Sequence, residues 1–295
     1  MKGRVTAAYG RQFVVETPAG ETLLATRRGK RGDVAVGDDV ELELGAAGQA
    51  TIQAILPRRT LLMRADDWRE KMLAANIDQV AVVFAPQPAF NLYFIWRALV
   101  AAEAAAVRGL VVLNKMDVPD HGAAREALAG CARLGYATLE ISAKHRPAEA
   151  RARLLEHLRG RATLLVGQSG MGKSTILNLL ANANARTQEY SVRLNLGKQT
   201  TSASRWFELP AETGGGALID SPGFQAFGLA GVRVEDLAHL LPDFTPLHGQ
   251  CRFNDCRHLD EPDCAVCAAV ARGEIEAQRY AFYRALVDER SARPR

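Results

Sequence analysis

The chain has 295 residues, 48% of them hydrophobic and 24% charged, which is enough apolar material for a sizeable core and enough length for two or three domains. A formal charge of +4 permits an anionic partner without requiring one. No stretch approaches the ~20 apolar residues of a membrane span, Met1–Gly10 carries no apolar signal core, and four of the five cysteines fall between Cys251 and Cys267. A membrane span and a disulfide scaffold are therefore set aside, and a cytoplasmic protein with a metal site is expected.

Residues 1–62 read as all-β. Short runs at Arg4–Tyr9, Gln12–Thr17, Glu21–Thr26, Asp39–Leu44 and Ala50–Leu56 are separated by turn residues. Five short strands in so few residues suit a Greek-key barrel of the OB-fold type. The loop Arg27–Gly32 concentrates positive charge. It reads as a nucleic-acid-tracking loop or as a solvated hairpin tip. Arg58–Lys71 is polar and basic and reads as a linker, with Trp68 either anchoring it or serving a partner.

From Ile77 the pattern alternates strand and helix, which predicts a parallel α/β sheet with crossover helices. Gln79–Ala85 is a buried strand, Asn91–Ala106 a helix, and Leu110–Leu113 a strand running into Asn114-Lys115-Met116-Asp117. In an open α/β sheet, ligands sit at the carboxyl ends of strands, which is where this tetrapeptide falls. It is the guanine-reading motif of GTPases. The Asp117 carboxylate would accept from guanine N1–H and the 2-amino group, whereas adenine would leave it unpaired. Asn114 would tie this loop to the phosphate loop, and the Lys115 stem would cover one face of the base. A helix at Arg125–Gly135 and a strand at Thr138–Ile141 lead to Ser142-Ala143-Lys144, the turn type whose backbone N–H meets guanine O6.

After a helix at Ala148–Leu158 come strand Thr163–Val166 and Gly167–Ser174, GQSGMGKS. This is G-x-x-x-x-G-K-[ST] between a strand and the helix that begins near Thr175, the context that a phosphate-binding loop requires. The amides of Gly167, Gln168, Ser169, Gly170, Met171, Gly172, Lys173, Ser174 and Thr175 would converge on a polyphosphate. Lys173 would reach the β- and γ-phosphates, and Ser174 would ligate Mg²⁺. Asn182–Gly197 is polar, and a threonine after it, Thr201 or else Thr200, would close on Mg²⁺ as a switch. Strands at Ser204–Leu209 and Ala217–Ile219 lead to Asp220-Ser221-Pro222-Gly223. This is D-x-x-G, with Asp220 reaching the Mg²⁺ shell through water and Gly223 N–H meeting the γ-phosphate.

Residues 231–295 differ again. Cys251-x4-Cys256-x-His258-x5-Cys264 supplies three thiolates and one imidazole, a full tetrahedral set for one structural zinc. A register with Cys267 replacing Cys264 is also open. An amphipathic helix over Gly273–Arg290 is expected to bury Ile275, Tyr280, Tyr283, Leu286 and Val287.

The nucleotide motifs run in the order NKMD, SAK, GKS, threonine, DSPG, which is a rotation of the usual order. Joining close termini and opening a surface loop does this without changing a core. The expected division is an OB-fold barrel at 1–62, a circularly permuted P-loop GTPase domain at 63–230, and an α-helical zinc-binding domain at 231–295. Because Thr201 and Asp220 then precede the zinc segment, γ-phosphate occupancy should be felt first at 231–295.

This arrangement, carried by Asn114–Asp117, Ser142–Lys144, Gly167–Ser174, Gly197–Thr201, Asp220–Gly223 and Cys251, Cys256, His258 and Cys264, resembles the RsgA (YjeQ) family along essentially the whole chain. The resemblance implies a bacterial GTPase acting in late maturation of the 30S small ribosomal subunit. It would contact 16S rRNA, with low intrinsic hydrolysis strongly stimulated by the subunit. GTP, Mg²⁺ and one zinc follow as ligands, and a monomer is expected. The family usually has a histidine where this chain has Gln199, and Phe224 stands where Ras-like enzymes place a water-orienting glutamine. Gln199 is therefore the candidate for positioning water. Gly170 stands where potassium-dependent GTPases carry Asn, so no potassium requirement is expected. The rival reading is a GTP-gated RNA-binding module, serving for example tRNA processing, with incidental hydrolysis.

Overall fold

The computed structural model describes residues 1–27, 33–45, 48–65, 70–181, 204–221, 226–229 and 231–292. Five strands come first: β1 Lys2–Tyr9, β2 Gln12–Glu16, β3 Thr22–Arg27, β4 Asp39–Leu44 and β5 Gln49–Ile55. Each falls within a residue or two of a run expected from the sequence. They pair in the order β1-β2-β3-β5-β4, and β4 returns to β1. Only β3–β5 is parallel, so the five close as an OB-type barrel. Alternate residues point inward, and Val5, Val15, Leu23, Ala25, Val40, Leu42 and Ile52 fill the interior. Most of the basic loop, 28–32, lies outside the described residues.

The stretch expected as a linker is not one. Leu61–Ala65 (β6) and Glu70–Ala75 (β7) form an antiparallel hairpin. Ala226–Gly228 (β14) adds a third strand on β6. Leu62 and Leu73 are each 2% exposed, so the hairpin has a buried face that the basic residues around it mask in the sequence. Its tip, with Trp68, lies outside the described residues. The ends of this segment are pinned: Arg58 Nε meets Asp38 Oδ1 at 2.6 Å, with the Asp38 side chain fully buried.

The nucleotide-domain sheet continues from there. Its strands are β8 Gln79–Phe84, β9 Arg108–Leu113, β10 Ala137–Glu140, β11 Ala162–Val166, β12 Arg205–Glu208 and β13 Ala217–Asp220. The order β10-β9-β8-β11-β13 is parallel throughout, and β12 is antiparallel beside β13. β8 is buried along its whole length, as a strand covered on both faces must be. Helices α1 Leu92–Ala104, α2 Gly122–Arg133, α3 Pro147–Leu158 and α4 Lys173–Ala181 supply the crossovers and cover. The chain steps outward from β8 to β9 and β10, then returns to the other side of β8 as β11. That reversal opens a crevice at the carboxyl ends of β8 and β11.

The barrel is joined to this sheet by backbone pairing, Ala7 of β1 opposite Arg205 of β12. At Gly37 (φ +92°) a Cβ would lie 2.1 Å from the Ala75 carbonyl oxygen. Only glycine fits so close a crossing in that left-handed conformation. By internal packing, 1–132 and 136–228 form one compact unit, and 133–135 with 229–295 form a second.

The second unit has 3₁₀ turns at Val234–Leu240 and Thr245–Leu247, a helix α5 at Ala265–Ala271, and a helix α6 at Ala277–Ala292. Its core is aromatic: Phe244 packs edge-on to Tyr283, with ring centroids 4.9 Å apart. The buried face of α6 is Arg279, Phe282, Tyr283, Leu286 and Val287. Three of the expected core residues are on it. Ile275 is buried but precedes the helix, and Tyr280 is only half-buried. Arg279 was hidden from a hydrophobic pattern because its burial depends on an ion pair with Asp243 at 3.2 Å.

Candidate nucleotide site and metal centre

Four motif-bearing loops open at the carboxyl ends of parallel strands: Asn114–Asp117 after β9, Ser142–Lys144 after β10, Gly167–Gly172 after β11, and Ser221 after β13. Asn114 joins three of them. Its Nδ2 donates to the Met171 carbonyl at 3.0 Å, and its Oδ1 accepts from the Ala143 amide at 3.1 Å. It is 2% exposed, so both bonds are made away from water. Gly172 (φ +95°) makes room for this, since a Cβ there would lie 2.2 Å from Asn114 Nδ2.

The Ser142 hydroxyl donates to Asp117 Oδ1, and His145 Nε2 lies 3.4 Å from Oδ2. The Ser142 hydrogen bond leads the causes that hold the Asp117 carboxyl below the usual carboxylate range, so it presents as an anion. A carboxylate offers about four acceptor positions, and the Ser142 hydroxyl takes one of them. Lys115, in a left-handed conformation (φ +63°), extends its ammonium to the Gln87 carbonyl at 2.9 Å. Lys144 is exposed.

In the glycine-rich loop, Gly167 lies so close to β8 that a Cβ would meet the Val83 carbonyl oxygen at 2.2 Å. Lys173 Nζ donates to the Gly167 and Gln168 carbonyls at 2.6 and 3.1 Å. Met171 is buried beneath the loop, while Ser169, Gly170, Ser174 and Thr175 are exposed along its rim and the start of α4. Burial lowers the Lys173 pKa against the pull of Asp220, and burial raises that of Asp220 against Lys173 and Arg205. These are two partly desolvated opposite charges, one at the start of α4 and one at the end of β13. A loop of this kind, with N–H groups at a helix start beside a half-buried ammonium, is suited to a polyphosphate. Exposed Ser174 and the Asp220 carboxylate are hard oxygen donors of the type Mg²⁺ takes. Thr200, Thr201, Gln199, Gly223 and Phe224 lie outside the described residues.

The segment between β8 and α1 carries no recognisable motif, yet it frames the site. Gln168 Oε1 accepts from the Asn91 amide at 2.8 Å. Asn91 in turn caps α1 through Tyr93 N and Phe94 N. A Cβ on Gly170 would meet Pro88 at 3.3 Å. An Asn directly before a helical run was the available signal.

In the second unit, Cys251 Sγ, Cys256 Sγ, His258 and Cys264 Sγ bring one ligand atom each to within 4.8 Å of one another. Cys251 and Cys264 Sγ are 3.9 Å apart, and each is 3.5 Å from His258 Nδ1. A tetrahedral zinc with bonds of about 2.3 Å to sulphur and about 2.05 Å to nitrogen requires separations of about 3.8 and 3.6 Å. The donor set fits that ion. Amides of Ala265 and Cys267 point at Cys251 and Cys264 Sγ, at 3.4 and 3.5 Å, and would offset thiolate charge. The Tyr280 hydroxyl lies 2.8 and 2.9 Å from the carbonyls of His258 and Leu259, one of which accepts its proton, and the Tyr283 hydroxyl donates to the Arg257 carbonyl, which ties the ligand turn to α6. Cys267 is outside the cluster, against the Leu259 carbonyl at 3.3 Å. Cys264, and not Cys267, is the thiol gathered with Cys251, Cys256 and His258.

The sheet order, the reversed chain course and the four strand-end loops define a circularly permuted P-loop GTPase carrying an OB-type barrel and a Cys₃His module. The RsgA GTPase family model matches residues 55–230. The chain is 49% identical over 294 residues to the small ribosomal subunit biogenesis GTPase RsgA of Paraburkholderia phytofirmans, covering 98% of this chain and 93% of that one. The Burkholderia pseudomallei protein of the same name is 47% identical over 293 residues, covering 98% and 92%. YjeQ from Thermotoga maritima superposes with a TM-score of 0.71 at 30% identity over 99% of both chains. YloQ, a circularly permuted GTPase, gives 0.69 at 25% identity, covering 100% and 96%. The chain belongs to the RsgA GTPase family.

Proposed function

We propose that this GTPase acts in late maturation of the small ribosomal subunit, binding the subunit and its rRNA in the GTP state and leaving after hydrolysis. The observation that carries the nucleotide half is the Asn114 bridge, which locks the base-reading and phosphate loops into one crevice. The names of the relatives support the ribosomal half.

Asp117 would read guanine, with Lys115 against the base and the Ala143 and Lys144 backbone at its O6 edge. Residues 167–175 and Lys173 would hold the phosphates, with Ser174 and Thr201 on Mg²⁺, and Asp220 and Gly223 sensing the γ-phosphate. Mg²⁺ would supply charge neutralisation on the transferring phosphoryl group. Gln199 would orient the attacking water, since Phe224 has no hydrogen-bonding group. Cys251, Cys256, His258 and Cys264 would hold one structural zinc. The division into 1–62, 63–230 and 231–295, a monomeric state and a cytoplasmic setting belong to the same reading. No helix among the described residues is long and apolar enough to cross a membrane.

The test is single-turnover GTP hydrolysis with and without purified small subunits. Acceleration by the subunit, lost in Lys173→Ala and reduced in Gln199→Ala at unchanged GTP affinity, is expected. No acceleration would favour a GTP-gated RNA-binding module in its place.

A further inference from the structure

The second unit holds two histidines that the Cys₃His set does not use. His239 lies near the end of the 3₁₀ turn Val234–Leu240, and His248 directly follows the turn Thr245–Leu247. Leu237, Leu241 and Phe244 are fully buried and pin both turns to the core of the unit. The chain between them is tied by Leu241 N to Ala238 O at 3.3 Å and by Phe244 N to Leu241 O at 2.9 Å. The two rings are thereby brought together with their Nδ1 atoms 3.3 Å apart, their centroids 4.4 Å apart and their planes at 70°.

This contact is at most a poorly aligned hydrogen bond. A hydrogen bond favours a near-linear N–H, and two imidazoles meeting nitrogen to nitrogen at this distance would hold their centroids about 5.6 Å apart. The nitrogen separation instead matches a chelate. Two nitrogens on one tetrahedral zinc, each at about 2.05 Å, lie about 3.3 Å apart. Adjacent positions on a square-planar or octahedral ion would need about 2.9 Å. The His248 ring lies beside the Ala238 backbone, and its Nε2 is buried without a well-formed hydrogen bond, which leaves Nδ1 as the nitrogen it offers to a ligand. His239 is exposed and its χ2 is a soft torsion, so a modest rotation turns both Nδ1 lone pairs to one point. Asp236 stands three residues before His239, and side chains at that spacing on a 3₁₀ turn eclipse one another. Its carboxylate faces Arg233 at 2.8 Å, an exposed pair that costs little to part.

We propose that His239 and His248 form a second metal site, in which both Nδ1 atoms hold Zn²⁺, the Asp236 carboxylate is drawn off Arg233 as third ligand, and water takes the fourth position. Two imidazoles, a carboxylate and an open position are a set that zinc accepts. With no thiolate in it, this site binds more weakly than Cys251, Cys256, His258 and Cys264 and exchanges its ion with solution.

The full chain is dialysed against zinc-free buffer, its retained zinc is measured by mass spectrometry, and it is then titrated with Zn²⁺ in a calorimeter in a buffer that does not bind metal. The expected result is uptake of about one zinc per chain that is lost in both His239→Gln and His248→Gln, with the zinc retained through dialysis unchanged. Asp236→Asn should weaken the uptake by about tenfold or more, and binding equal to the wild type would remove the carboxylate from the site. No uptake by the wild type, or uptake undiminished in both histidine variants, overturns the proposal and leaves the pair as a contact between two rings. A fall in retained zinc in the histidine variants also overturns it, because the two residues would then serve the Cys₃His ion. If the dialysed wild type retains no zinc, the zinc reading of the cysteine cluster is what fails or is emptied, and the uptake lost between wild type and histidine variants still decides the second site.

Discussion

Asn114 and Asp117 sit in one tetrapeptide but fail differently when changed. Asn114 is structural to the crevice: alanine there removes two buried hydrogen bonds and strands the Ala143 amide and the Met171 carbonyl. Asn114→Ala should lower stability by about 2–4 kcal/mol and weaken GDP and GTP binding together, measured by urea unfolding and nucleotide titration. Asp117 is a matter of chemistry. Its carboxylate accepts from Ser142 and would accept from guanine, so Asp117→Asn replaces one acceptor by a donor at the same place. That arrangement complements xanthine, which carries a carbonyl where guanine carries an amine. GTP affinity should fall by up to about 10⁴-fold while XTP binding appears, with the fold retained. Equal weakening for both nucleotides would mean that Asp117 does not read the base.

Among elements, β8 and β11 form the spine of the crevice, and they are clasped at the end away from it. Asp78, just before β8, accepts the Ala162 amide of β11 at 2.8 Å and pairs with Arg59 at 2.9 Å. Burial opposes its charge, but the Ala162 and Arg59 bonds outweigh burial and hold its pKa below the ordinary value. The folded state therefore binds this proton less readily than the unfolded chain. The stabilisation is complete above the unfolded carboxyl range and is lost as pH falls through the folded pKa. Asp78→Asn should unfold more readily at neutral pH, and the gap from the wild type should narrow on acidification, followed by thermal melts in steps from neutral to acidic pH. The elements themselves were largely legible in the sequence. β8 reads as an unbroken apolar run, and α1 announces itself through Asn91 and Leu92, Ile95, Trp96 and Leu99. Among the described residues, Asn114–Asp117, Ser142–Lys144, Gly167–Gly172 and Asp220–Ser221 all lie at strand ends, because turn chemistry and strand period agree there. The β6–β7 hairpin was not legible. Its third strand, β14, arrives from the far end of the domain, and no local pattern reports a long-range pairing. The framing loop at Gln87–Asn91 was missed for a related reason: its contacts to Lys115 and Gln168 are made by backbone atoms, which any sequence possesses.

At the scale of the whole chain, that hairpin changes the route by which the nucleotide state would be communicated. The sequence suggests that the D-x-x-G turn runs straight into the zinc module. In the fold, the strand that follows it, Ala226–Gly228, pairs with Met63–Ala65 before the chain enters the second unit at Leu229. Phe227 of that strand is fully buried against Phe94, with ring centroids 6.2 Å apart, and Arg97 Nε donates to its carbonyl at 2.7 Å. On this reading a displacement at Asp220–Gly223 would first load the pairing of β14 with β6. Hydrogen exchange compared between GDP and a non-hydrolysable GTP analogue should show altered protection at 61–65 and 226–228 in the isolated protein. Changes at 231–292 should follow, enlarged when the small subunit is bound. If 231–292 responds while β6 and β14 exchange identically in the two states, the three-stranded sheet is a passive brace and the zinc module senses the γ-phosphate by another path.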